Sequence, residues 1–225
     1  MTREPVLVSW SGGKDALLAL KRLRADHRFR VTGLLTSIGA TDDRVTLHGV
    51  PLALVEAQAA RVGLPLRVVR IDTDADNATY EAAMAAALAA ARRDEPDLAT
   101  VVFGDLFLAD IRAWREQQLA KAGWRAQFPL WGESAATLAR AFVDRGHRAV
   151  LCCVDTQQLD AAFCGRDYDA DLLADLPPSC DPCGENGEFH TFVHAAPSWS
   201  APIALRRGAC HLRDGRFAQL ELGAG

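Results

Sequence analysis

The chain has 225 residues, 49% of them apolar and 24% charged, with a formal net charge of −4. That length suits one large domain, or a domain with a smaller lobe, and it can bury a full core without disulfides or metals. The acidic balance argues against a protein that works by neutralising nucleic-acid backbones. The most alanine-rich stretch, Ala82 to Ala91, is too short to span a bilayer. No secretory signal accompanies the six cysteines, so a cytoplasmic protein with reduced thiols is expected.

Val6 to Ser9 reads as a buried strand. A turn, Ser11-Gly12-Gly13-Lys14-Asp15, leads into a helix with Ala16, Leu20 and Leu23 on one side. Val31 to Thr36 is the next strand. Pro51 suits the first turn of a second helix striped by Leu52, Val55, Ala59 and Val62 and ended by Gly63 and Pro65. Leu66 to Ile71 is a third strand. Asn77 caps a long helix with Tyr80, Met84, Leu88 and Ala91 along one face, and Pro96 stops it. Thr100 to Phe103 is a fourth strand, ending at Gly104-Asp105. A helix from about Ala109 to Ala122 follows, and Ser134 caps a fifth with Leu138, Ala141 and Phe142 inward. Ala149 to Val154 is another apolar strand.

Strands alternating with helices of this length imply βαβ units and a parallel sheet. Ligands of such sheets sit outside the carboxyl ends of the strands. The glycine turn, Thr36-Ser37 and Gly104-Asp105 all follow strands directly, so three segments point to one sheet edge. The pattern changes after about Gln127, with Trp131-Gly132 as a hinge candidate. The region from Pro177 is rich in Pro, Cys, Gly and Asn, and the alternation around Asp214-Gly215 reads as a β-hairpin. The expectation is a nucleotide-binding α/β domain over 1–127 and a smaller mixed lobe over 128–225.

SWSGGKDA fits neither the Walker A spacing nor the dinucleotide fingerprint. A generic tight turn remains one reading. The chemistry favours another: Gly12 and Gly13 let consecutive amides face an anion, and the helix N-terminus adds partial positive charge there. Ser11 offers a hydroxyl and Lys14 a mobile ammonium, while Asp15 makes most sense if a cation bridges it to phosphate.

Ser-Gly-Gly-Lys-Asp resembles the PP-loop of ATP pyrophosphatases, whose pattern is SGGxDS. LHGVPLALVEAQAARVGLPL (47–66), VVFGDLFLADIRAWREQQLAKAG (101–123), FPLWG (128–132) and DPCGENGEFHTFV (181–193) together resemble the diphthine–ammonia ligase family, in particular its short archaeal and bacterial forms. These segments occur in the family's order over nearly the whole chain. One departure is Ala16, where the family loop usually ends in serine; Ser9 and Ser11 are the candidates to compensate.

The resemblance implies a Rossmann-like, HUP-type domain with a C-terminal α+β lobe. It also implies ATP and Mg²⁺ as cofactors, with ammonia and a carboxylate acceptor as partners. ATP phosphates would lie on Ser11, Gly12, Gly13, Lys14 and Asp15, with adenine near Thr36 and Ser37. His48 faces the nucleotide or its substrate, or bonds backbone at the start of a helix. Gly104-Asp105 matches the family's GD, making Asp105 with Asp15 the Mg²⁺ ligands, or Asp105 a helix cap. Arg112, Arg115 and Glu116 form either a solvated ion pair or a substrate-anion site. Cys183, Glu185, Asn186, Glu188 and His190 belong to the acceptor site, with Lys14, Asp15, Glu185, Glu188 and His190 as the catalytic set. The implied activity is ATP-dependent amide formation with release of AMP and pyrophosphate. Two rivals stand beside it: a tRNA-thiolating enzyme using Cys180 and Cys183, and a non-catalytic ATP/AMP-binding module. Nucleic acid and membrane are not expected as partners, and a homodimer is the assembly considered.

Overall fold

The computed structural model describes residues 2–72 and 75–225. Five strands form an all-parallel sheet in the order β3-β2-β1-β4-β5: β1 (Glu4–Ser9), β2 (Phe29–Gly39), β3 (Leu66–Ile71), β4 (Thr100–Val102) and β5 (Arg125–Gln127). Helices α1 (Lys14–Ala25), α2 (Leu52–Val62), α3 (Asn77–Asp94) and α4 (Ala109–Lys121) connect them. The sheet alternates its burial face by face. Val6, Val8, Leu34 and Val102 join α1 and α2 in one core; Leu7, Leu35, Val69 and Val101 join α3 and α4 in the other. The strand order reverses between β1 and β4, and such reversals open a crevice at the carboxyl ends of the two strands.

The second sheet is antiparallel, in the order β7-β6-β9-β8, from β6 (Arg148–Asp155), β7 (Phe189–Ala195), β8 (Leu205–Arg213) and β9 (Phe217–Ala224). Helices α5 (Ala135–Asp144) and α6 (Ala170–Asp175) belong to this part of the chain. Leu151, Val154, Phe189 and Phe192 share one apolar cluster with Leu17, Leu20 and Val55, so a continuous core joins the two sheets. The β8–β9 hairpin turns at Asp214 (φ 54°) and Gly215 (φ 64°), the two left-handed residues that a type I′ turn requires.

Sequence and structure differ in detail. Asp76, not Asn77, caps α3: its side chain accepts from Thr79 N at 2.8 Å, and Asn77 is the first helical residue. Pro51 is the N-cap of α2 rather than its first helical residue. The buried side of α5 runs through Leu138, Ala139 and Phe142, with Ala141 only half-buried. Ser134 does cap α5, accepting from Thr137 N at 3.3 Å. Strand β5 was not anticipated; its three residues carry too little pattern. Gly132 of the expected hinge is tied down, its amide bonded to Leu106 O at 2.8 Å.

Candidate active site

The chain leaves β1 at Ser9 and enters α1 through the glycine turn. Gly12 sits at φ +82°, a conformation that strains any residue with a Cβ. Gly13 is the N-cap of α1 and supplies no side-chain cap to the first-turn amides. The Ser11 hydroxyl accepts from Gly13 N at 3.3 Å. Two glycines permit close packing. A Cβ on Gly13 would lie 3.2 Å from the Thr191 carbonyl oxygen, and one on Gly104 would lie 2.8 Å from the Asp15 carbonyl carbon. The end of β4 and strand β7 therefore both touch the turn.

Strand β7 is part of the turn's construction. Val193 N donates to Gly12 O at 2.9 Å, and Lys14 N donates to the Thr191 hydroxyl at 3.1 Å. Gln58 of α2, fully buried, bonds the same two backbones. Neither Thr191 nor Gln58 was singled out from sequence, because each contact spans far more of the chain than one motif.

Lys14 corrects an expectation. Its ammonium is not mobile: the residue is 1% exposed. Nζ donates to Asp15 Oδ1 at 3.0 Å and Oδ2 at 2.8 Å, and to the carbonyl of Cys183. The rings of Tyr168 and Phe189 lie 5.6 and 5.7 Å away, within cation–π range. Burial is the strongest single influence and opposes the ammonium charge, but Asp15, Cys183 and Glu185 together hold Lys14 above its ordinary pKa. Burial pushes Asp15 up while Lys14 pulls it down. Lys14 clamps the C-terminal loop to the glycine turn.

That loop, 181–190, is organised by two carboxylates. Asp181 Oδ1 accepts from Cys183 N at 2.8 Å and Glu185 N at 3.2 Å. Glu188 is 2% exposed and accepts from Asp181 N at 2.8 Å, Asn186 N at 3.0 Å and Asn186 Nδ2 at 3.0 Å. Its oxygens are engaged in holding the loop, and Asn186 is engaged with it. Glu185 is different: its side chain accepts from Leu106 N at 2.7 Å, across the crevice. Burial raises its pKa to about 7, with Asp15 and Asp105 adding repulsion. Such a group changes protonation at neutral pH.

His48 and His190 stack at 4.3 Å between ring centroids, joining the segment after β2 to β7. Burial lowers His48 to about 4 and His190 well below its ordinary value, so both rings are neutral at pH 7. Cys180 and Cys183 are buried thiols raised to about 12, chiefly by burial, and are not thiolates at neutral pH.

A cleft of about 430 Å³ opens over the carboxyl ends of β1, β2 and β4, between α3 and α4. Ser9, Ser37, Phe103, Tyr80, Trp114 and Arg115 line it. Thr36 lies at the same sheet edge, 2% exposed, its hydroxyl without a partner among the described residues. Asp105 is paired with Arg115, Nε to Oδ2 at 2.9 Å, but off the hydrogen-bond axis. Arg112 and Glu116 bond each other at 2.8 Å on α4, and Arg112 stacks over Trp131 at 4.6 Å. That pair is a half-exposed surface bridge. Its contacts run to Phe128 and Trp131, not to the glycine turn.

The carboxylates suit a magnesium ion that keeps water and substrate phosphates as its other ligands. Among the described residues no three metal-ligating side chains converge, but Mg²⁺ needs only one or two carboxylates in such sites. Asp105 Oδ2 makes no hydrogen bond, although Arg115 Nη2 donates to Oδ1 at 3.3 Å, and Asp15 and Asp105 both add repulsion at Glu185 beyond the effect of burial.

A parallel sheet carrying a glycine turn at its strand-order reversal, joined to an antiparallel lobe, defines a Rossmann-like α/β protein. Comparison with known families agrees in detail. The diphthamide synthase N-terminal domain matches residues 4–126, and the diphthamide synthase C-terminal domain matches residues 134–213. The chain belongs to the diphthamide synthase family, and with it to the ATP-utilising ligases of the PP-loop type. No curated protein matches it. No helix among the described residues is long and apolar enough to cross a membrane.

Proposed function

We propose that the chain is an amide ligase that adenylates a carboxylate and passes the acyl group to ammonia. A carboxylate oxygen of the acceptor attacks the α-phosphorus of ATP, and the bond from that phosphorus to the α,β-bridging oxygen breaks. Pyrophosphate departs on the glycine turn, where the Gly12 amide and the positive N-terminal end of α1 meet the charge growing on it. Those donors act more strongly in the transition state than before it. Asp15 and Asp105 would hold a Mg²⁺ ion, which would supply further charge neutralisation on the phosphates. The adenine occupies the cleft beside Ser9, Thr36 and Ser37. Ammonia nitrogen then attacks the acyl carbon, AMP leaves, and Glu185 takes the amine proton. A carboxylate poised near pH 7 suits that task. His48 and His190, both neutral, flank the acceptor. Lys14 and Glu188 are positioning residues. In this assignment 1–127 holds the nucleotide and 128–225 presents the acceptor; the acceptor carboxylate is diphthine-like.

One observation carries the reading: Lys14 of the glycine turn is bonded both to Cys183 of the 181–190 loop and to Thr191 of β7, which supports activation and amination at adjoining sites. The thiolating rival needs a nucleophilic thiol, and Cys180 and Cys183 are both held protonated. The test is product analysis: Mg-ATP, ammonium and a pool of carboxylates should yield AMP and pyrophosphate. ADP with phosphate, or nucleotide binding without turnover, would overturn it.

A further inference from the structure

We infer that Gln58 is a positioning residue that sets the shape of the phosphate-binding turn from beneath. The inference rests on the proposed nucleotide reading. Gln58 is 0% exposed, on the helix α2 that packs under the turn. A fully buried glutamine is uncommon and must satisfy its whole amide internally. Gln58 does so with three partners from two separate segments, the turn after β1 and strand β7. Nε2 donates to Gly12 O at 2.9 Å and to Val193 O at 2.6 Å. Oε1 accepts from the buried Trp10 indole at 2.8 Å.

Each bond fixes something different. The bond to Gly12 orients the peptide that follows Gly12. With that carbonyl turned down to Gln58, the neighbouring peptide dipoles are constrained in turn. The bond to Val193 holds β7 in register, and β7 carries His190 and Thr191. The bond from Trp10 locks the amide so that its NH₂, not its oxygen, faces the two carbonyls. The space is also closed: a Cβ on Gly12 would come within 2.8 Å of Gln58 Oε1, so the amide and the left-handed glycine are fitted to each other. Gln58 thus links the turn that grips phosphate to the strand that carries the acceptor loop. It touches no reacting atom.

The linkage predicts a selective defect. Near-isosteric Gln58→Met keeps the volume and removes all three bonds. By calorimetry on the full chain, inorganic pyrophosphate should bind about tenfold more weakly, the scale of one well-placed hydrogen bond. Adenosine, which occupies the cleft and not the turn, should bind within about twofold of the wild type. A merely structural role would weaken both alike, and equal losses or no loss would overturn the inference. Should Gln58→Met fail to fold, Trp10→Phe removes the indole donor together with part of the ring's packing, while the Gln58 bonds to Gly12 and Val193 can remain. The same selectivity is then expected at about threefold, and its absence is equally decisive. Wild-type protein that binds adenosine but no pyrophosphate would instead defeat the proposed function. Unchanged pyrophosphate binding by a folded variant defeats only the role of Gln58.

Discussion

The glycine turn and the 181–190 loop meet in one crevice, yet they are built by opposite means. Both bend through left-handed glycines, Gly12 at +82° in the first, Gly184 at +70° and Gly187 at +86° in the second. The turn is shaped by backbone: short residues, a helix start and partners that reach in from α2 and β7. Its first helical amide, that of Lys14, is bonded to Thr191 of β7. The loop is shaped by its own carboxylates, with Asp181 and Glu188 accepting from its amides. A carboxylate used that way has few lone pairs left for chemistry. Glu185 lies three residues from Glu188 in the same motif, but bonds across the crevice and titrates near neutrality. Residue type did not separate the two glutamates; their hydrogen-bond partners do.

The bridge between the two regions should be the most sensitive point. Asp15→Ala leaves the Lys14 ammonium buried with the Cys183 carbonyl and two aromatic rings for company. Removing one partner of a buried ion pair costs about 3–5 kcal/mol. The double variant Lys14→Met/Asp15→Ala should recover most of that, since methionine packs well between Tyr168 and Phe189. Guanidinium denaturation of the single and double variants measures both. A single variant as stable as the double would show that the Lys14 ammonium does not depend on Asp15 for its charge partner.

Next in size is the loop's own scaffold. Glu188→Gln replaces an acceptor-only group with an amide that must turn one NH₂ toward donors. A loss of about 2 kcal/mol is expected, within the range for hydrogen bonds to charged groups. Hydrogen exchange at the Asp181 and Asn186 amides should quicken with it. If exchange there is unchanged, the loop does not depend on that carboxylate.

Glu185 should respond in the opposite direction. Its native pKa of about 7 lies above the ordinary 4.5, so the folded state holds the proton more tightly than the unfolded one. The resulting instability is absent below pH 4.5, grows as pH rises, and is complete above 7. Glu185→Gln should therefore stabilise the protein at pH 8 by about 1 kcal/mol, a figure reduced for the solvent that still reaches the group. At pH 4.5 the gain should vanish. In the same variant the rise in amide formation through pH 7 should be lost. A variant that keeps that limb would remove Glu185 as the proton acceptor.

Much of this was legible in sequence. The alternation of strands and helices, the glycine turn after β1 and the Asp214-Gly215 hairpin follow from local patterns, each decided within about ten residues. The roles of Lys14 and Glu188 were not legible. Lysine in a phosphate-loop motif suggests a free cation, and only packing by Tyr168 and Phe189, far along the chain, converts it to a clamp. Gln58 carried a faint signal, a polar residue beside the apolar stripe of α2, but its partners are 46, 48 and 135 residues away. The capping error at Asp76 is of another kind: Asp and Asn are equally good caps, and adjacent ones cannot be ranked by propensity.

The smallest effect is expected where the sequence departs from its family. Ala16 stands where the loop usually carries serine, which raises the prospect of a missing phosphate ligand. Ala16 is 7% exposed and belongs to the apolar cluster that joins the two sheets. A hydroxyl placed there would be buried, and its nearest satisfaction is a carbonyl of the preceding turn. Ala16→Ser should cost about 1 kcal/mol of stability, since the buried hydroxyl is only partly compensated. Steady-state AMP release should change less than about threefold, because an inward hydroxyl adds nothing to the outward donors of Ser11, Gly12 and Gly13. A tenfold rise in turnover with stability intact would show that the side chain at 16 reaches the phosphates, and that the turn as it stands lacks a ligand.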